Sequence, residues 1–209
     1  MVEGPLDPDG WPDALERGVA GTAMEGEARS GDLAVFAGYA GGALVAVLDG
    51  LGHGDAAADA SAIAAGVIRA HRSAPPAELL ERCHAALRRT RGVVMTLAWF
   101  DLERRQLAWA GVGNVEARLV RGAAAYGDRH DSALVLGGVV GYKLPAVRPA
   151  TMPLLPGDAV AFATDGIESD YSASLAPGVP AQRLAERILA RHAKGTDDAL
   201  AVVVRYVPR

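Results

Sequence analysis

Short apolar runs that each meet a carboxylate at one end constrain this chain more than any other feature. "ALVAVLDG" carries Ala43 to Leu48 into Asp49-Gly50, and "AVAFATDG" carries Ala159 to Ala163 through Thr164 into Asp165-Gly166. Two more runs begin on acids: "DLAVFAGY" at Asp32 and "DDALAVVVRY" at Asp197-Asp198. Runs of this length, bounded by glycine or acid, read as strands. In antiparallel packing the end of one strand and the start of its neighbour lie on the same edge. Four carboxylate positions far apart in sequence can therefore converge on one rim.

The rest of the chain reads as layers of strands with a few helices. Strand-like runs cover 15–24, 32–40 and 42–50. The spacing predicts a helix over 56–72 with Ile63, Val67, Ile68 and His71 near one face, broken by Pro75-Pro76 and followed by a second helix over 76–90. A meander follows in 92–102, 106–112 and 115–121. "AAAYGD" and "ALVLGGVVGY" read as two further short strands around an exposed loop at 127–132. A strand over 157–166, a helix over 181–193 and a buried strand over 199–207 close the chain. Hairpin order of this kind indicates an α+β fold rather than a doubly wound parallel sheet. The Pro- and Gly-rich residues 1–14 read as a flexible leader, and 15–209 as a single domain.

Composition sets outer bounds. With 209 residues, half of them hydrophobic, the chain can bury a sizeable core without disulfides. The single cysteine, Cys83, rules out an intramolecular disulfide or a Cys-cluster zinc site and reads as a buried thiol on the second helix. A net charge of −4 and a pI near 5.7 argue against nucleic acid as a partner. The N-terminus lacks a signal-peptide pattern, and no run approaches the length of a spanning helix. The expectation is a reducing, cytoplasmic setting with no membrane partner.

Convergent carboxylates repel unless something positive neutralises them, and no Lys or Arg adjoins these four positions in sequence. A hard divalent cation, Mg²⁺ or Mn²⁺, is the natural counter-charge, because it prefers oxygen ligands. Two such ions roughly 3.5–4 Å apart would activate a water for attack on phosphorus. A glycine after each strand-ending Asp would let the chain turn sharply and leave a carbonyl free as a ligand. Taken singly, each Asp-Gly is an ordinary turn. "GVGNVE" is a broken GxGxxG with no helix pattern after it, and neither a P-loop nor a GxSxG motif occurs. Glu168 and Asp170 read as surface residues, Asn114 as a turn residue tolerating positive φ, and His71, His84, His130 and His192 as ordinary helix or loop residues.

"DGLGHG", "GVGN", "FATDGIES" and "DDALAVVVRY" resemble, in that order, the motifs of the PPM-type metal-dependent serine/threonine protein phosphatases. The resemblance is closest to the SpoIIE-like branch, in its short single-domain form of stressosome feedback phosphatase, and covers about residues 20 to 207. It implies an α-β-β-α sandwich of two antiparallel sheets flanked by helices, with a two-ion Mn²⁺ or Mg²⁺ centre at one edge. Asp49 would bridge the ions, the Gly50 carbonyl would join it, and Asp165 and Asp197 would complete the set. Asp32 matches an acid that reaches the centre through water, and Asp198 takes a supporting position. The catalytic set implied is Asp49 and Asp165 with His53, which could protonate the leaving oxygen or only hold its loop. Arg17 and Arg29 are the N-terminal arginines in sight, and neither is assigned to substrate phosphate. The partners implied are phosphorylated STAS-domain proteins, either stressosome components or an anti-sigma-factor antagonist. A non-catalytic docking module and a small-molecule phosphomonoesterase are the alternatives. The Gly-rich segment 123–150 reads as an exposed flap suited to substrate choice.

Overall fold

The structure, a computed structural model, describes residues 10–122 and 130–208. Its elements, in chain order, begin with β1 (Leu15–Thr22), β2 (Asp32–Tyr39), β3 (Gly42–Gly50), α1 (Asp55–Ala70) and α2 (Pro76–Leu87). Next come β4 (Val93–Asp101), β5 (Gln106–Val112), β6 (Glu116–Val120), β7 (His130–Ser132), β8 (Val135–Leu136) and β9 (Ala150–Pro153). β10 (Ala159–Ala163), a 3-10 turn at Tyr171–Ser174, α3 (Ala181–His192) and β11 (Ala199–Tyr206) complete the chain.

Two sheets stack. One runs β1-β11-β10-β6-β7, and the other runs β2-β3-β4-β5-β8 with β9 also paired to β5. Their strand residues alternate strictly between two cores, as a two-residue period requires. On β3, Ala43, Val45 and Val47 face the layer between the sheets, while Leu44, Ala46 and Leu48 face the helices. On β11, Leu200, Val202 and Val204 face inward, and Ala199, Ala201 and Val203 pack under α3. Strands buried on both faces explain the unbroken apolar runs. α1 and α2 cover the second sheet through Ile68, Leu79, Leu80 and Leu87, and α3 covers the first through Leu184, Ala185 and Ile188. This is the expected α-β-β-α sandwich. Cys83 is fully buried in the α1–α2 layer, and that burial pushes its thiol up to about 12. An inert structural thiol follows.

Several local expectations are corrected. The buried face of α1 is made by Ala57, Ala58, Ala60, Ser61, Ala64, Ala65 and Ile68, whereas Ile63 is 41% exposed. Small side chains bring the helix close to β3: a Cβ on Gly50 would strike the Ala57 carbonyl. The Ser61 hydroxyl, also buried, donates to the Gly31 carbonyl at 2.5 Å. α2 stops at Leu87, where the Thr90 hydroxyl and amide both bond the Leu87 carbonyl. β7 occupies part of the expected loop at 127–132, paired with β6. "AAAYGD" lies outside the described residues. Of "ALVLGGVVGY", only Val135–Leu136 is a strand, and it pairs parallel to β5. β9 was not expected, because four mostly exposed residues ending in proline carry no periodic signal.

Residues 10–14, read as the end of a leader, include Trp11 and Ala14, which pack against the inter-sheet core. The Trp11 indole donates to the Leu15 carbonyl at 2.6 Å and meets Phe36 edge-on at 5.4 Å. Among the described residues, no helix is long and apolar enough to cross a membrane.

Candidate metal centre

The sandwich brings the acidic strand ends to one rim. Asp32 and Asp49 are register partners on β2 and β3, and both continue the rows that face the inter-sheet layer. Thr164 extends the inward row of β10, and Asp198 extends that of β11. Beside them opens a cleft of about 450 Å³ whose walls include Asp49, Gly52, His53, Asn114, Asp165 and Asp197.

Burial and mutual repulsion dominate the electrostatics. Burial, then the charges of Asp165, Asp197 and Asp198, push the Asp49 carboxyl from its usual 3.8 to about 7. Asp32 is 6% exposed and is raised well above the usual range, first by burial and then by Asp49; a hydrogen bond from Thr164 opposes the rise. Like charges placed directly across a strand pair are destabilising. The neighbours are accordingly acceptor-rich and demand a cation or protons.

The supporting shell makes each carboxylate different. Asp32 accepts the Thr164 hydroxyl at 2.6 Å, a bond that joins the two sheets at the rim. The same hydroxyl accepts the Leu200 amide at 2.9 Å. Asp198 is 4% exposed and accepts the amides of Met24 and Gly31, one on each oxygen, both at 2.7 Å. Both of its oxygens are engaged, which suits the supporting part expected of it. Asp197 accepts the Asp198 amide at 2.8 Å. Asp165 lies two residues past β10 and is exposed; it is held by Asn114, whose side-chain amide donates to it at 2.9 Å. Lys194 donates to the Asp165 carbonyl at 2.6 Å.

The glycines act by a different route from the one expected. Gly50 and Gly166 have ordinary φ; they are needed because a Cβ would collide with the carbonyls of Ala57 and Asp198 respectively. The turn past β3 is made by Gly52 at φ 88° and Gly54 at φ 71°. Asn114 likewise does not carry positive φ; Gly113 before it does, at 106°. Asn114 sits in the bend between β5 and β6, as expected, and it also lines the cleft, for which "GVGN" was the signal.

His53 stands on the cleft wall, 57% exposed, with Nδ1 2.5 Å from Glu27 Oε1. Of the two N-terminal arginines, Arg29 pairs with Asp59 at 2.8 Å and Asp55 at 3.3 Å, and Arg17 stacks over Trp11 and Phe36. Glu168 and Asp170 are exposed as expected, and Asp170 bonds His192 at 2.9 Å. Sequence reasoning missed Glu27, Thr164 and Lys194. Thr164 adjoins a predicted ligand, but nothing in the sequence marks Glu27 or Lys194.

Among the described residues, no three acidic, histidine or cysteine side chains are gathered tightly enough to hold an ion as they stand. The donor chemistry nonetheless fits a hard cation: all the acids at the rim offer oxygen, and burial leaves Asp49 and Asp32 seeking positive charge.

The family model for Stage II sporulation protein E (SpoIIE) matches residues 39–207, most of the chain. The chain belongs to the SpoIIE family. Its fold is that of the PPM, or PP2C, serine/threonine phosphatase domains. The phosphoserine phosphatase RsbX of Bacillus subtilis is 33% identical over 72 residues, a stretch that covers 34% of this chain and 36% of that protein. The match thus spans about a third of that curated relative. A solved structure of RsbX in complex with magnesium superimposes with a TM-score of 0.83 at 22% identity, covering 93% of this chain and 96% of that one. A chain from a structural study of the bacterial stressosome, as a modular system adapted to control secondary messenger signalling, also gives 0.83. It is 28% identical and covers 91% of this chain and 99% of its own. The PP2C domain of SpoIIE from Bacillus subtilis gives 0.71 at 19% identity over 91% of this chain and 62% of that one.

Proposed function

We propose that this SpoIIE-family chain is a Mn²⁺- or Mg²⁺-dependent phosphatase that removes phosphate from phosphoserine or phosphothreonine on small STAS-type regulators of partner-switching signalling. The observation that carries the reading is the rim itself: Asp32 and Asp49 stand opposite each other, with Asp165, Asp197 and Asp198 close enough to raise the Asp49 carboxyl. In this reading Asp49, the Gly50 carbonyl, Asp165 and Asp197 hold two ions, with Asp32 acting through water. Such ions, when bound, supply an acidified water for attack on phosphorus and offset charge on the phosphoryl oxygens.

The chain's own residues prepare that site. Thr164 fixes the Asp32 carboxylate, Asn114 orients Asp165 from across the cleft, and Lys194 holds the carbonyl of the same residue. Asp198 hangs the segment between β1 and β2 from the start of β11. In this reading His53, which lines the cleft, gives a proton to the serine oxygen as it leaves.

Substrate choice would be read beside the cleft. A second hollow of about 380 Å³, lined by Asn114, Glu116, Arg118, Ser132, Ala133 and Val135, shares Asn114 with the first. Between two of its lining residues, Ala133 and Val135, Leu134 is 75% exposed. RsbX, a phosphoserine phosphatase by name, and the stressosome study give the direction of the partner reading.

The test is phosphate release from a phosphorylated STAS protein with Mn²⁺, with and without chelator, beside Asp49→Asn and Asp165→Asn variants. Release that vanishes with chelator or either substitution is expected. Manganese-independent release, or full activity in both variants, refutes the reading. Tight binding without release would mark a docking module, and turnover of small phosphomonoesters alone would mark the small-molecule enzyme.

A further inference from the structure

We infer that Glu27 is a positioning residue for His53, setting which ring nitrogen faces the cleft and so which one can deliver a proton to the leaving oxygen. The inference rests on the phosphatase reading above. The Glu27 and His53 side chains meet at 2.5 Å, Oε1 to Nδ1, although 26 residues separate them. With Nδ1–H donating to the carboxylate, Nε2 is the nitrogen left for the cleft, which His53 lines together with Asp49, Asp165 and Asp197.

Four features build this pair. Gly54 follows His53 at φ 71°, and a Cβ there would sit 2.7 Å from Glu27 Oε2; the missing side chain is the notch that admits the carboxylate. Glu27 sits in a loop whose two ends, Met24 and Gly31, are both fastened by their amides to Asp198. Its own amide closes a turn on the Met24 carbonyl at 3.0 Å. The carboxylate is 27% exposed, half-sheltered between loop and glycine rather than free on the surface. Across the same turn, Gly52 gives way to Arg91, whose Nη1 would lie 2.5 Å from a Cβ at that position. Two of the three glycines in "GLGHG" thus make room for charged side chains on either side of His53.

The proton balance is simple. As water attacks phosphorus and the P–O bond to serine breaks, the Nε2 proton of the imidazolium passes to the departing serine oxygen. Neutral His53 keeps its Nδ1–H on Glu27. The proton released by the attacking water, by way of solvent, restores the imidazolium, and the products are serine and inorganic phosphate. A carboxylate on Nδ1 fixes the tautomer and holds the plane of the ring.

Leaving groups separate this role from a structural one. A phosphoserine leaves as an alkoxide that needs a proton, whereas p-nitrophenyl phosphate releases a phenolate that does not. In the full chain with saturating Mn²⁺, Glu27→Ala is expected to lower kcat on a phosphoserine peptide about tenfold to a hundredfold. It should change kcat on p-nitrophenyl phosphate by less than about threefold, and Glu27→Gln, which keeps an acceptor oxygen, should fall between. In a His53→Asn background the Glu27 change should add nothing. Equal losses on the two substrates, losses that persist without His53, or no loss on the peptide overturn the role of Glu27 alone. A wild-type protein inactive on both substrates with Mn²⁺ overturns the phosphatase reading and this inference with it. Glu103→Ala, an exposed change in the β4–β5 turn at the end of the sheet opposite the rim, removes the same charge and serves as the control, and Mn²⁺ titration of each variant checks that the rim is intact.

Discussion

The two Asp-Gly strand endings look alike in sequence and behave differently in the structure. Asp49 is still within β3, in register with Asp32, and its carboxyl is raised to about 7 by burial and by its acidic neighbours. Asp165 lies beyond the end of β10, exposed, and owes its place to a side-chain amide from Asn114 and to Lys194 on its carbonyl. One carboxylate is positioned by the ladder and carries electrostatic strain. The other is positioned by tethers from Asn114 and Lys194. One acidic rim thus combines a carboxylate buried in the ladder with an exposed one held by side-chain bonds.

The largest effect should come from removing either acid. Asp49→Asn and Asp165→Asn are each expected to lower Mn²⁺-dependent phosphate release more than ~100-fold, since even outer partners of metal ligands are worth about 10–100-fold. Thermal melts in chelator sharpen the contrast: Asp49→Asn should melt above wild type because it relieves both burial of charge and repulsion, and Asp165→Asn, which removes one repelling charge but leaves Asp49 buried, should rise less. Equal melting shifts would break the distinction.

Next in size is the tether. Asn114→Ala should weaken Mn²⁺ binding about tenfold or more, measured by titration calorimetry, with little change in the melting temperature. Because Asp165 is exposed, its loss of orientation is a binding defect rather than a folding defect.

The pH dependence of stability follows from the raised Asp49 and Asp32 carboxyls. Between the usual 3.8 and about 7 the folded protein holds a proton on Asp49 that the unfolded chain releases. The stability this adds is fully present at low pH and is lost as pH rises toward 7. In chelator, urea midpoints should therefore fall from pH 5 to pH 8; Asp49→Asn should flatten the fall, and Asp165→Asn, which removes one of the charges acting on a still-buried Asp49, should reduce it only in part. Saturating Mn²⁺ should raise the midpoint at pH 8 more than at pH 5, because the ion replaces the missing protons.

The smallest effect concerns the hydroxyl that joins the sheets. Thr164→Val keeps shape but leaves Asp32 and the Leu200 amide each without a partner, and should cost about 1–3 kcal/mol in urea unfolding. A neutral result would mean that water replaces the hydroxyl at this buried rim.

Much of this was legible in the sequence, and the reason is locality. The bounds of β3 and β5 match the expected runs, because a two-residue period between glycines needs no tertiary information. The same period places Asp49 on the face of Val45 and Val47, so its inward orientation is implied by the run that precedes it. Failures occurred where small residues or short exposed strands carried the structure. The alanine face of α1 outranks its larger residues because β3 approaches so closely at Gly50, and β9 exists only because β5 offers it an edge.

Sequence alone therefore determined the layered α+β fold, the acids at the strand ends and the glycine-rich turn after β3. Tertiary structure decided which acid opposes which, that Asn114 reaches Asp165 across 51 residues, that Asp198 fastens a loop 174 residues earlier at Met24, and that Glu27 enters the notch at Gly54. Strand periodicity is a property of neighbours along the chain. These contacts depend on the register of the strands and the approach of separate loops, which only the packed sandwich settles.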